Sequence, residues 1–180
     1  MNAIVAMLDP TYERRVYDLW EELETKFKVR GVYVTPYPHF TFQGAASYHL
    51  DRLQTVFEQL AAGCEPFTVQ TSGLGLFTGE SPVLFIPVKR TPALNRMHER
   101  VWDAMQPLAT DCNVLYNAAH WIPHITIGFG DMQPDVLSAI CTYLADRDFD
   151  WEIEVNSIAF IHNTSDSQLL KYRTRFGGNL

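Results

Sequence analysis

Two short segments of this 180-residue chain repeat one pattern, Tyr37-Pro38-His39-Phe40-Thr41-Phe42 and Ile122-Pro123-His124-Ile125-Thr126-Ile127. In an extended strand successive side chains alternate between faces, so His39 and Thr41 share one face while Phe40 and Phe42 share the other. The same alternation sets His124 and Thr126 against Ile125 and Ile127. Each segment therefore offers one imidazole and one hydroxyl on a single face, with an apolar face to anchor it. The preceding prolines favour extended backbone just before each histidine. A free imidazole titrates near ~6.5, so two facing copies can divide acid and base work at neutral pH, one neutral and one protonated. The neutral ring takes a proton from water while the cationic ring protonates a leaving oxygen. Two threonine hydroxyls beside them can bond the non-bridging oxygens of a phosphate. Such a set needs no metal, and its natural target is a phosphodiester, above all one strained in a ring.

The elements that must carry these segments also recur. The run Ala3–Leu8 reads as a buried strand, and Asp9-Pro10 as a helix start with a capping carboxylate and proline in the first turn. Val16, Leu19, Trp20, Leu23 and Phe27 then lie on one helical face. The first histidine segment follows as a strand, then a second helix through Leu50, Leu53, Phe57 and Leu60 closed by Gly63, then a strand over 65–77. From the strand Val83–Val88 the order starts again: a helix opened by Thr91-Pro92, a less regular stretch over 109–120, the second histidine segment, a helix opened by Pro134, a strand over 149–161 and a closing strand over 168–176. Strand, helix, histidine strand, helix, strand thus occurs twice. The expectation is an α+β fold in which an internal duplication gives two similar lobes. Each lobe is a mainly antiparallel sheet with helices outside, and the active-site cleft lies between the sheets. Residues 1–180 form a single bilobal domain, one lobe around 37–44 and the other around 122–130.

At these residues the chain resembles the 2H phosphoesterase superfamily, which includes bacterial 2′-5′ RNA ligase-like proteins and the cyclic nucleotide phosphodiesterases of plants and yeast. That superfamily has two His-x-Thr/Ser motifs with apolar flanks, one in each lobe of a duplicated α+β fold. "HFTF" and "HITI" both fit, and His124 follows His39 by 85 residues, a spacing that suits the superfamily. The resemblance implies metal-independent opening of 2′,3′-cyclic phosphates, generally to 2′-phosphates, or related work on 2′-5′ linkages and RNA ends. It implies His39 and His124 as the acid–base pair and Thr41 and Thr126 as phosphate clamps. It leaves open which histidine is the acid. Some relatives carry arginine or tyrosine five residues after the second histidine, where this chain has Phe129, a change at a phosphate or base contact.

Further substrate contacts are expected from Tyr37 and Trp121, which neighbour the motifs and could stack on a base as Tyr33 could, and from Lys171 and Arg173, which alternate on the last strand. No metal and no cofactor is expected. His120 and His124 are four apart, but Pro123 between them disfavours the helix that zinc ligation at that spacing needs. The stretch 146–157 opens like a calcium loop, yet has Trp151 and Ser157 where glycine and glutamate are required. "GLGLFTG" lacks the third glycine of a dinucleotide fingerprint.

Composition narrows the partners. Apolar residues are 47% and charged residues 19% of the chain, a globular mix, and the net charge of −7 argues against a broad basic surface for duplex DNA. A small nucleotide or short RNA end with a cyclic or 2′-5′ phosphodiester is the expected partner, bound by a monomer. Three cysteines at unrelated spacings point to free thiols and a cytoplasmic setting, with no signal peptide and no membrane partner. The same residues leave two other activities open: capture of RNA ends or 2′-phosphorylated nucleotides without turnover, and joining of RNA ends through a 2′-5′ bond.

Overall fold

A computed structural model describes residues 1–164 and 167–177. Its first strand, β1 (Asn2–Met7), is buried along its whole length. Asp9 ends it and starts α1 (Pro10–Phe27), its carboxylate accepting from the Thr11 and Tyr12 amides. Val16, Leu19, Trp20 and Leu23 form the buried stripe of this helix. A 3-10 turn (Gly31–Val34) leads to the histidine strand β2 (His39–Tyr48), followed by α2 (Leu50–Ala62). Next come β3 (Phe67–Gln70), β4 (Gly75–Phe77) and β5 (Val83–Pro87). The helix α3 (Pro92–Met105) is capped by the Thr91 hydroxyl. The irregular stretch holds a short strand, β6 (Ala109–Cys112), and a 3-10 turn at Val114–Tyr116. The second histidine strand is β7 (His124–Phe129), followed by α4 (Pro134–Leu144), β8 (Glu152–Val155), β9 (Ser157–Asn163) and β10 (Gln168–Arg175). Among the described residues no helix is long and apolar enough to cross a membrane.

The strands pair antiparallel throughout, giving the expected α+β architecture with a cleft between two sheets. One sheet runs β10-β9-β1-β2-β6. The other is built on β4-β5-β7, and β3 pairs separately with β8. A bridge between Thr71 and Val88, with the Lys89 amide on the Gln70 carbonyl, joins that ribbon to β5.

The lobes are not the two halves of the sequence. The long strands expected over 65–77 and 149–161 each break, at Thr71–Leu74 and at Asn156, and each turns into the other half's sheet. Thus β4 pairs with β5 of the second half, and β9 pairs with β1 of the first. Periodicity reports how much of a segment is extended but not which edge it finds. Reciprocal exchange of these strands ties the halves together by backbone hydrogen bonds.

The main core lies between sheets and helices, through Ile4, Phe40, Phe42, Leu53, Phe57, Val101, Ile125 and Ile127. On the opposite face of the first sheet Ala3, Val5, Met7, Ala159 and Ile161 form a second apolar cluster, with Tyr37 packed on it. Burial of both faces explains why β1 is apolar at nearly every position.

Candidate active site

The two histidine segments are held in the same way. In β2, Met7 lies opposite His39 and Val5 opposite Thr41; in β7, Pro87 lies opposite His124 and Phe85 opposite Thr126. Each ladder then skips one residue of the histidine strand, Phe42 in β2 and Ile127 in β7, three positions after the histidine in both. A β-bulge of this kind sharpens the local twist and re-aims the side chains before it. Next to the motifs both strands have a free edge, because β6 pairs with β2 only from Ala45 onward and β7 pairs only with β5. An exposed edge leaves backbone acceptors needing partners. Two indoles supply them: Trp121 Nε1–H donates to the Thr41 carbonyl at 2.8 Å and Trp20 Nε1–H to the Thr126 carbonyl at 3.0 Å.

Each imidazole is fixed by its own chain. His39 Nδ1 bonds the Tyr37 carbonyl at 2.5 Å, and His124 Nδ1 bonds the Ile122 carbonyl at 2.6 Å. A carbonyl only accepts, so Nδ1 carries the hydrogen in both rings and Nε2 of a neutral ring is left as a free base. The intervening proline holds the backbone extended so that the carbonyl two residues back reaches the ring.

These side chains line one cavity of about 700 Å³ between the sheets, where β2 and β7 run within 8 Å of each other. His39, Thr41, His124 and Thr126 all contribute to its wall. Burial pushes the His39 imidazole down to about 4, against the partly offsetting bond to Tyr37, and a proton on His124 lowers it further. His124 is also lowered by burial, offset by its bond to Ile122, and it lies beside the Phe77 and Phe85 rings at 5.0 Å each. Desolvation thus disfavours the charged form of both rings, so that the state with one neutral and one protonated ring is harder to reach than free imidazoles would make it.

Of the further residues expected, Tyr37 and Phe129 line the cavity. Trp121 does not. It is buried behind β2, stacked on Phe42 and on His98, so its indole orients Thr41 rather than meeting a base. Lys171 and Arg173 are not among the residues lining the cavity: a bulge at Lys171 breaks the alternation of β10, and Arg173, opposite Ala159 on the cleft face of the sheet, donates its Nε–H to the Ser157 hydroxyl at 3.4 Å. Lys171 instead borders a shallow groove with His162 and Leu169. Tyr33 packs edge-on against Trp20.

Sequence reasoning missed Tyr116 and His120, which come from the irregular stretch after β6 and line the cavity. Burial raises the Tyr116 phenol, while a hydrogen bond from Thr41 lowers it in part. It also missed Thr35 and Gln168, which meet across the cavity wall through the Thr35 hydroxyl and the Gln168 carbonyl oxygen. No spacing signal marks any of these four. The turn carrying Thr35 is pinned onto the end of β7: the Asp131 carboxylate accepts from the Arg30 and Gly31 amides, and Gly31 lies so close to the Phe129 carbonyl that a Cβ would collide with its oxygen. Among the described residues no three His, Cys, Asp or Glu side chains cluster as metal ligands would.

The comparison with family models matches residues 10–167 to the 2′-5′ RNA ligase superfamily. The chain belongs to that superfamily. Solved structures agree on the fold: TT0787 of Thermus thermophilus superposes with a TM-score of 0.64 at 17% identity over 99% of both chains. A protein described as a phosphoesterase superposes with a TM-score of 0.61 at 13% identity over 98% of both chains. A search of curated proteins found no match. Membership in the superfamily supports a 2H phosphoesterase or ligase-like activity for this chain.

Proposed function

We propose that this superfamily member hydrolyses a cyclic phosphodiester, a 2′,3′-cyclic nucleotide or RNA end, by paired-histidine catalysis without a metal. The observation that carries the reading is the matched pair of imidazoles, each with Nδ1 tied to the carbonyl two residues back and Nε2 left to the shared cavity. In this reading the phosphate seats between the rings, with the Thr41 and Thr126 hydroxyls donating to its non-bridging oxygens. An anion there favours protonation of one imidazole, which burial opposes in the empty cavity. This reading gives the proton to His124 and leaves His39, whose imidazole burial pushes down to about 4, as the base. Neutral His39 Nε2 accepts a proton from water as its oxygen bonds to phosphorus. The phosphorus–O3′ bond breaks and His124 Nε2–H protonates the departing oxygen, leaving a 2′-phosphate. Exchange with solvent returns both rings to their starting states. The whole bilobal chain is the working unit, since each half supplies one histidine.

The test is incubation with 2′,3′-cyclic nucleotides in EDTA, with the phosphate isomer identified. Formation of the 2′-phosphate is expected; absence of product over a panel of cyclic phosphates and 2′-5′ dinucleotides would leave capture of RNA ends without turnover. Membership in the 2′-5′ RNA ligase superfamily favours a second reading, end joining, in which an RNA 5′-hydroxyl replaces water as the attacking group. His39 would take the proton of that hydroxyl, its oxygen would bond to phosphorus as the phosphorus–O3′ bond breaks, and His124 would protonate the departing O3′; an end-joining assay separates the two.

A further inference from the structure

The cavity wall among the described residues contains no Asp, Glu, Lys or Arg side chain. Its titratable side chains are imidazoles and tyrosines, and desolvation disfavours the charged forms of His39 and His124. The basic side chains that the sequence offers near it are committed elsewhere. Arg90 donates to the Trp121 carbonyl and the Asn95 side chain, Arg173 on the cleft face of β10 donates to the Ser157 hydroxyl, and Lys171 borders the neighbouring groove; none of the three lines the cavity. At the mouth of the same cavity stand exposed apolar side chains, Val34, Leu115, Ile122 and Phe129, each between 38% and 65% exposed. They account for half of the large apolar side chains exposed on the described surface, so that surface gathers at this one rim. The floor adds Ala3 and Ile161 from the second apolar cluster.

Resting on the function proposed above, we infer that the site selects a phosphodiester monoanion joined to an uncharged, largely apolar group: a nucleoside 2′,3′-cyclic phosphate with a free 5′-hydroxyl rather than its 5′-phosphorylated form or a longer RNA chain. A single negative charge is met by two threonine hydroxyls and the one proton that the imidazoles can share. A second phosphate would enter a low-dielectric cleft whose wall holds no Lys or Arg side chain, on a chain of net charge −7. The apolar rim instead gains by covering a base or sugar face.

The experiment compares adenosine 2′,3′-cyclic phosphate with its 5′-phosphorylated counterpart, reading kcat/KM on the intact chain and Kd by calorimetry on a His39→Ala variant. At least a tenfold preference for the 5′-hydroxyl form is expected in both readouts. Added salt is expected to narrow it by screening the repulsion, the opposite of a site that grips RNA through released counterions. Leu115→Lys at the rim is expected to narrow it as well. Equal or tighter use of the 5′-phosphorylated form would overturn the inference while leaving cyclic phosphodiester hydrolysis standing. If neither compound is turned over, the hydrolytic reading fails, and the ranking of the two Kd values still decides the inference; no binding of either overturns it.

Discussion

β2 and β7 carry the same four-residue motif with the same register, the same skipped residue and the same kind of indole donor, yet their surroundings differ. β2 has ten residues inside a five-stranded sheet, and Thr41 is only 9% exposed. β7 has six residues at the edge of a three-stranded sheet, with Thr126 half-buried and two phenyl rings beside His124. Identical local geometry fixes the tautomer of both rings, while their surroundings set how burial acts on each, lowering His39 to about 4 and His124 as well. A duplicated motif can thus meet two different environments without any difference in the motif itself.

The hardest blow to this comparison is removal of either ring. His39→Ala and His124→Ala are each expected to lower kcat by about 10²–10⁴-fold with the fold intact, and the double variant to lose little more than the worse single one. Full turnover by either single variant breaks the pairing. Thr41→Val and Thr126→Val are expected to cost about 10²-fold in kcat with smaller changes in KM, as removal of a transition-state donor does. A loss confined to KM would make the hydroxyls ground-state contacts.

Titration sharpens the contrast. Because both imidazoles are lowered, the protonated acid of the free enzyme is lost as pH rises, so kcat/KM is expected to peak below the ordinary histidine value of ~6.5. Its acidic limb tracks His39, at about 4. In a two-dimensional NMR titration, His124→Ala is expected to raise the His39 value while burial keeps it below the ordinary value; an unmoved His39 would mean the rings do not sense each other. The same shifts govern stability. The unfolded chain takes up the protons of His39, His98 and His124 more readily than the native state does. Their contribution is therefore full above ~6.5 and is lost as pH falls toward the folded values, which a series of Tm measurements against pH reads directly.

The smallest expected effects concern the indoles. Trp20→Phe and Trp121→Phe each strip a donor from a threonine carbonyl, at about 1–3 kcal/mol in urea denaturation. Trp121→Phe is expected to cost more, since its indole also stacks on buried His98 with ring centres 4.0 Å apart. Equal costs would place the two supports in equivalent environments.

Much of this was legible before any coordinates. Alternation put Phe40 and Ile125 in the core and their neighbouring histidines on the opposite face, and the caps at Asp9 and Thr91 start helices as read. Trp121 was misplaced because proximity in sequence to a motif does not say which side of the strand an aromatic packs on. Lys171 and Arg173 were read as an alternating pair, but a bulge at Lys171 breaks the alternation, and although Arg173 is on the cleft face neither residue lines the cavity. Tyr116 and His120 carried no periodic signal, since their stretch adopts irregular turns.

By itself the sequence determined the repeated element order, the paired imidazole and hydroxyl, and the net negative charge, because these follow from residue type and strand period. Only the tertiary structure decided the exchange of strands between the halves, a cleft wall without Lys or Arg side chains and the burial that lowers both of its histidines. Those depend on which distant segments exclude water from a given atom, and desolvation is a property of the assembled surroundings, not of the motif.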